Sequence, residues 1–112
     1  MSRKEREKGK RGEREVATIL RSHGFPGRRT SQYAGHTEDS SDVVGLDGFH
    51  LEVKRQEKTR IFEWYEQAKR DAEEKNIPMV VFRRSGENWF ALLDFEDLLD
   101  VLSLLERLVK GH

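Results

Sequence analysis

Three stretches of the chain space their apolar residues as an α-helix does. The first covers residues 12–23 and stops at Gly24, a residue that favours a helix C-terminus. The second covers residues 60–75. The third starts near Phe95 with Asp94 as its N-terminal cap, and its apolar positions nearly surround it. The apolar stripe of the first helix is made of Val16, Ala17, Ile19 and Leu20.

Shorter stretches between these helices have the composition of β-strands. The strands are expected at residues 28–30, 42–46, 49–56, 77–84 and 89–94. Residues 31–41 are expected to form a mobile loop, because they contain Gly and Ser clusters and few apolar anchors. Asp47-Gly48 predicts a hairpin turn between the second and third strands. The alternation of helices and strands indicates an α/β fold.

Three charged residues, Asp42, Glu52 and Lys54, interrupt the two strands of this hairpin. Because side chains alternate faces along a strand, Glu52 and Lys54 share a face with His50, opposite the apolar residues between them. The turn folds Asp42 back toward residues 53–54. We therefore expect two carboxylates and an amine to converge on one small patch.

Such a patch suits phosphodiester hydrolysis. Mg²⁺ is bound in proteins by one or two carboxylates, with water and substrate phosphate completing its shell. The metal lowers the pKa of a bound water, while a nearby lysine positions that water or stabilises developing charge. The alternative that the residues leave open is a solvated hairpin face with an ordinary ion pair.

Glu13 in the first helix is a candidate third carboxylate. It lies seven residues before Leu20, so it continues the apolar stripe and tends to face the sheet. An inward carboxylate needs a cation or a hydrogen-bond donor. The alternative is that Glu13 only complements the helix dipole. Arg14 lies on the flank of the same helix, either against a phosphate backbone or in solvent.

Composition limits the class of protein. The chain has 112 residues, 35% of them hydrophobic and 38% charged, which fits one domain with one core. It has no cysteine, no apolar run long enough to cross a membrane and no visible signal peptide, so we expect a cytoplasmic protein. The formal net charge is zero, yet residues 1–30 carry +6, which is typical of a localised phosphate-binding face. Residues 1–8 alone are interpreted as a flexible basic tail.

Four segments together resemble a known family: "KGKRGEREVATILRSHGF", Arg29, "SSDVVG" and "LEVK". They look like the archaeal-type Holliday junction resolvases, including phage-encoded relatives, within the PD-(D/E)xK nuclease superfamily. The resemblance covers roughly residues 8–84. It implies a restriction-endonuclease-like core with a central mixed β-sheet flanked by helices. It also implies a homodimer that makes paired, symmetrical, Mg²⁺-dependent nicks in four-way DNA junctions during recombination and repair, with Mn²⁺ as a substitute.

The resemblance also assigns roles to individual residues. Glu13, Asp42 and Glu52 match metal-binding acids, and Lys54 matches the catalytic lysine. Gln67 resembles a glutamine that supports the site in many relatives. The expected DNA-binding residues are Lys10, Arg11, Arg14, Arg28, Arg29 and Ser31.

The sequence departs from the family pattern in two places. Ser41 replaces the proline that the superfamily name expects before Asp42, and the loop before it is longer and more acidic than in the cellular enzymes. Two alternative functions stay open. One is a related nuclease that acts on flaps, nicks or linear duplex, and the other is a non-catalytic DNA-binding subunit. The apolar last helix indicates either an oligomer interface or a lid over the core.

Overall fold

The computed structural model describes residues 2–30 and 41–111 of the chain. They form three helices and five strands in one mixed sheet. The helices are α1 (Arg3–Ser22), α2 (Ile61–Asp71) and α3 (Phe95–Lys110). The strands are β1 (Arg28–Arg29), β2 (Val43–Val44), β3 (Phe49–Arg55), β4 (Ile77–Arg83) and β5 (Phe90–Leu92).

The strands lie in the order in which the chain makes them, from β1 to β5. Within this described sheet, only β3 and β4 are parallel, and α2 makes the crossover between them. The other neighbours are antiparallel, with Val43 opposite Leu51 in the β2–β3 hairpin. The α/β fold with a central mixed sheet and flanking helices, predicted from the sequence, is confirmed.

Strand β3 is buried on both faces, and its alternating side chains enter two different cores. Leu51 and Val53 pack with Val16 and Ala17 of α1. On the opposite face, Trp64 and Ala68 of α2 pack with Val80 of β4, the residue paired with Glu52. The helices α1 and α2 therefore cover opposite faces, and Glu52 belongs to the α2 face.

The observed boundaries differ from the predicted ones at several elements. Helix α1 begins at Arg3, where the Ser2 hydroxyl caps it by accepting a hydrogen bond from the Glu5 amide. Residues 3–8, expected to form a flexible basic tail, are therefore helical. Helix α2 ends at Asp71, four residues earlier than predicted, and β2 keeps only two of its five expected residues. The predicted loop 31–41 lies outside the described residues except for Ser41.

A close approach at Gly12 fixes α1 against the end of β3. A Cβ atom added to Gly12 would lie 3.0 Å from Arg55 Cβ and 3.4 Å from the Trp89 ring. Next to this contact, the Glu15 carboxylate accepts hydrogen bonds from Arg83 and from the Trp89 indole N–H. The helix is thus anchored at Gly12 and at Glu15, on either side of Glu13, which limits where the Glu13 side chain can point.

Helix α3 packs loosely. The Asp94 side chain caps it by accepting hydrogen bonds from the amides of Glu96 and Asp97, as the sequence predicted. None of its residues is buried, although Leu102, Leu105 and other apolar residues follow one side of it. None of the helices in residues 2–30 and 41–111 combines the length and the apolar character that a membrane span requires.

Gly45 is the tightest backbone contact of the β2–β3 turn. It has a φ of +124°, and a Cβ added there would lie 2.5 Å from the Pro26 carbonyl oxygen and 2.7 Å from Gly27 Cα. These contacts are with backbone, which cannot move aside as a side chain can. The turn is consequently locked against the segment that leads into β1. Gly48 in the same turn also has a positive φ, of +85°, but open space around it.

We predict that Gly45→Ala lowers the free energy of unfolding by about 3 kcal/mol or more, since it adds a steric clash to an unfavourable φ. Gly48→Ala is the matched control and is expected to cost about 1–2 kcal/mol, for the φ alone. Urea unfolding of both variants measures the difference. Equal costs would show that the close approach to Pro26 and Gly27 contributes nothing.

Candidate active site

The site lies where the β2–β3 ladder stops. Strand β2 pairs with β3 no further than Leu51, so the next amide on that edge of β3, from Val53, has no strand partner there. Instead it donates a hydrogen bond of 2.9 Å to Asp42 Oδ2. The Asp42 amide in turn donates to the Leu51 carbonyl oxygen at 3.0 Å. Asp42 therefore ends the ladder, and its carboxylate is held against the edge of β3.

The Asp42 carboxylate lies in an unfavourable electrostatic environment. The pKa of Asp42 is raised to about 7, chiefly by burial and next by the neighbouring Glu52 carboxylate. The hydrogen bond from Val53 lowers this pKa and the Glu13 carboxylate raises it. Lys54 also lowers it, with the smallest effect of the five. The carboxylates of Glu52 and Glu13 thus both repel that of Asp42, and Lys54 offsets only part of that repulsion.

Glu52 is a buried acid whose side chain is 2% exposed. Its Oε1 lies 2.9 Å from His50 Nε2, and His50 Nδ1 lies 2.9 Å from the Ser41 hydroxyl. His50 and Ser41 are each 1% exposed. Among the described residues, none donates a hydrogen bond to the second oxygen, Oε2.

Lys54 is positioned by the helix that follows β3. Its ammonium donates a hydrogen bond of 2.9 Å to Gln67 Oε1 on α2. Lys54 and Glu52 are two residues apart on β3, so both project from the α2 face. The predicted nearness of Gln67 to the site is what the structure shows.

Glu13 faces the site from α1 but is already paired. Its Oε1 accepts a hydrogen bond of 3.0 Å from Arg29 Nε, and the Glu13 side chain is 17% exposed. The inward direction predicted for Glu13 is therefore observed, with Arg29 as the donor that a half-buried carboxylate needs. Arg29, expected to contact DNA, is held beside the site through this pair.

These residues line a groove of about 1070 Å³. All four predicted catalytic residues are in its lining, namely Glu13, Asp42, Glu52 and Lys54. Of the predicted DNA-binding residues, Lys10, Arg14 and Arg29 also line it. Arg11 and Arg28 are exposed but lie outside this lining, and Ser31 lies outside the described residues.

The N-terminal half of α1 forms one wall of the groove. Lys8 lies 2.6 Å from Glu57, which follows β3, and Glu57 also accepts hydrogen bonds from the amide and hydroxyl of Ser85. The hydrogen bond from Lys8, more than those from Ser85, lowers the pKa of Glu57 to about 2. This tie holds the N-terminal half of α1, which carries the basic residues Arg6 and Lys10, beside the carboxylates of the site.

The carboxylates of Asp42 and Glu52 fit a hard divalent cation. They are close enough to raise the pKa of Asp42, and one oxygen of each is held by a hydrogen bond from the protein. One or two carboxylates, with water and phosphate oxygen, are the usual protein ligands of Mg²⁺. Within residues 2–30 and 41–111, however, no three acidic or histidine side chains are already gathered as a metal cluster. Glu13 in particular is engaged by Arg29.

The partners of Glu52 are the part of the site that sequence reasoning missed. The alternation of β3 placed His50 on the face of Glu52 but gave no reason for a contact. In the sequence, Ser41 stands out only because it replaces the proline expected before Asp42. The signal that was available is the burial of a carboxylate in a strand, which requires a donor from a nearby residue of the same face.

The family model described as "Phage putative PDDEXK endonuclease" matches residues 4–109. The chain is also similar to a solved structure of Hjc, a Holliday junction resolvase from the archaeal hyperthermophile Archaeoglobus fulgidus. The TM-score is 0.57, with 22% sequence identity over 76% of each chain. This likeness confirms the restriction-endonuclease-like fold. No curated protein sequence matches the chain. Because the family model spans nearly the whole sequence, the chain belongs to the phage PDDEXK endonuclease family, and it is a nuclease of the PD-(D/E)xK type.

Proposed function

We propose that this nuclease resolves four-way DNA junctions by metal-dependent hydrolysis of phosphodiester bonds, with paired symmetrical nicks. The observation that carries the proposal is the convergence of half-buried Asp42 and buried Glu52 with Lys54 in one groove walled by a basic helix. The fold shared with an archaeal resolvase supports the choice of junction DNA. Recombination and repair are the processes in which such junctions arise.

Each residue has a proposed role in hydrolysis. Asp42 and Glu52 would hold a divalent cation, Mg²⁺ or Mn²⁺, which supplies Lewis acidity and a lowered pKa for a water. Lys54, oriented by Gln67, places its positive charge where the phosphate becomes more negative. Glu13 is proposed as a further acidic ligand, which requires that Arg29 release it, for example to a DNA phosphate.

The basic wall is proposed to bind the DNA backbone. Lys10 and Arg14 line the groove, and Arg29 lies between Glu13 and solvent. Arg11, Arg28 and Ser31 are proposed as flanking contacts to the same strand. Phosphate contacts of this kind position DNA without reading its sequence. A junction is then recognised by the shape of its arms.

Cleavage of an end-labelled four-way junction, beside the matching linear duplex, tests the reaction. Wild-type protein with Mg²⁺ is expected to make paired nicks in opposite arms. Asp42→Asn is expected to slow cleavage at least about 100-fold, because it removes a ligand charge while leaving DNA binding intact. Asp47→Asn, an exposed acid in the same hairpin, is the matched control and should cleave normally.

Other outcomes of this assay distinguish the alternatives. Equal cutting of linear duplex, or a preference for flaps or nicks, would contradict junction specificity and leave the nuclease chemistry in place. Tight junction binding without cutting under any divalent metal would indicate a non-catalytic DNA-binding subunit. Normal cleavage by Asp42→Asn would remove Asp42 from the metal site.

The raised pKa of Asp42 gives a second test. It measures the free energy of unfolding as a function of pH, with EDTA present to keep the protein free of metal. The folded state keeps this proton up to about pH 7, whereas the unfolded chain releases it near pH 4, so ionisation of Asp42 destabilises the fold as pH rises between these values. At pH 8, Asp42→Asn should therefore be more stable than wild type, by up to about 4 kcal/mol. Near pH 4 the difference should disappear.

Adding Mg²⁺ at pH 8 should raise the melting temperature of the wild type more than that of Asp42→Asn, because the cation relieves the carboxylate repulsion only where the charge exists. Asp47→Asn again serves as the control. An Asp42→Asn protein that is less stable than wild type at pH 8 would contradict the electrostatic cause.

We also propose that the active form is a homodimer assembled through α3. Leu98, Leu102, Leu105 and Val109 form one apolar stripe, and the last three of these are 47–67% exposed. An apolar stripe of this length on a small domain is typical of a self-complementary contact. A second copy would supply the second active site that paired nicks require.

Leu105→Glu, in the middle of this stripe, should weaken the dimer at least about 10-fold, since it replaces about 1.5–3 kcal/mol of apolar burial by a charge. Leu104→Glu changes a residue of similar exposure, 52% against 55%, on another side of the helix and should have little effect. Light scattering across a dilution series measures the dissociation constant. A monomeric wild type at every concentration would rule out the dimer.

We also propose that the protein acts inside a prokaryotic or phage-infected cell, because its proposed substrate is DNA.

A further inference from the structure

A chain of two hydrogen bonds is buried beneath the site. It runs from the Ser41 hydroxyl to His50 Nδ1, and from His50 Nε2 to Glu52 Oε1, with both distances at 2.9 Å. None of the three side chains is more than 2% exposed. The hydrolytic roles proposed above use Glu52 but give no function to His50 or Ser41.

The chemistry of the groups gives the direction of these hydrogen bonds for a neutral His50 ring. A carboxylate can only accept hydrogen bonds, so the hydrogen between His50 and Glu52 belongs to Nε2. In a neutral imidazole with its hydrogen on Nε2, Nδ1 is an acceptor. When the His50 ring is neutral, the Ser41 hydroxyl therefore donates to Nδ1, and the hydrogen bonds run from Ser41 through His50 to Glu52.

The two ends of this hydrogen-bond chain are at the two candidate metal ligands. One end is the ligand Glu52 itself. The other end, Ser41, directly precedes the second ligand, Asp42, in the sequence. Ser41 and Asp42 precede β2, so the strict alternation of a strand does not apply to them and Ser41 can turn toward His50. The chain thus connects the segment that bears Asp42 with the strand that bears Glu52.

We propose that His50 is a positioning residue for the metal site and that Ser41 orients it. By holding Oε1, His50 restricts the rotation of the Glu52 carboxylate and directs Oε2 toward the space next to Asp42. A ligand oriented in advance binds a cation more tightly, and loss of such a partner typically costs about 10–100-fold in metal affinity. This inference rests on the proposed function, because it assumes that Glu52 is a ligand.

The two variants that separate positioning from mere packing are His50→Gln and His50→Leu. A glutamine amide reaches about as far as Nε2 and can still donate to Glu52, whereas leucine fills the space without a donor. Mn²⁺ binding to each protein, without DNA, is measured by calorimetry. We expect His50→Leu to weaken Mn²⁺ binding about 10–100-fold and His50→Gln to restore most of the loss. Ser41→Ala should cause a smaller loss than His50→Leu.

A double-mutant cycle tests whether His50 acts through Glu52. In a Glu52→Gln background, His50→Leu should change Mn²⁺ affinity far less than it does in the wild type. His23→Leu is the matched control, since His23 is exposed at the end of α1 and distant from the groove. Nitrogen-15 NMR of the histidine rings, in the metal-free protein, should show His50 with its hydrogen on Nε2.

The outcomes of these measurements separate the two proposals. If a folded His50→Leu protein binds Mn²⁺ as tightly as the wild type does, the proposed role of His50 is overturned. If His50→Leu does not fold, equal Mn²⁺ affinities of wild type and Ser41→Ala, together with failure of His50→Gln to preserve binding, would overturn it as well. Unchanged Mn²⁺ affinity in both Asp42→Asn and Glu52→Gln would instead overturn the proposed metal site, whatever the His50 variants do.

Discussion

The repulsion between the neighbouring carboxylates of Asp42 and Glu52 is the constraint on which the site depends. Each of these charges costs free energy when it leaves water, and their closeness raises the cost further. The protein compensates with individual donors, from Val53 to Asp42 and from His50 to Glu52. Lys54 supplies part of the missing positive charge, and a divalent cation would supply the rest.

The shortness of β2 makes this arrangement possible. If β2 continued to pair along β3, the Val53 amide would be used by a backbone carbonyl and Asp42 would point away from it. Because the ladder stops at Leu51, the edge of β3 is open at that level, and side chains from both faces of the sheet can approach it. Gly45 holds the turn against the start of β1, which keeps β2 from shifting along its partner.

Helix α1 connects the basic wall of the groove with its carboxylates. Its middle is locked to the sheet at Gly12, and its N-terminal half is tied to the end of β3 through Lys8 and Glu57. The same helix carries Glu13 toward the carboxylates and Arg14 toward solvent. Because Arg29 already holds Glu13, the proposed DNA contact of Arg29 and the proposed release of Glu13 as a ligand would be coupled through this one residue.

The sequence by itself determined the order of the elements, the hairpin and the four candidate catalytic positions. Strand alternation is a local property, so it was enough to place Glu52 and Lys54 on one face, and helical spacing was enough to turn Glu13 inward. Only the tertiary structure decided what each carboxylate meets. The contacts of Ser41 with His50, and of Glu13 with Arg29, join residues whose distance depends on strand register and on where a ladder ends. The early start of α1 also depended on a contact across the fold. Lys8 forms an ion pair with Glu57, which lies 49 residues further along the sequence. Such a partner stabilises helical residues that lack an apolar stripe of their own.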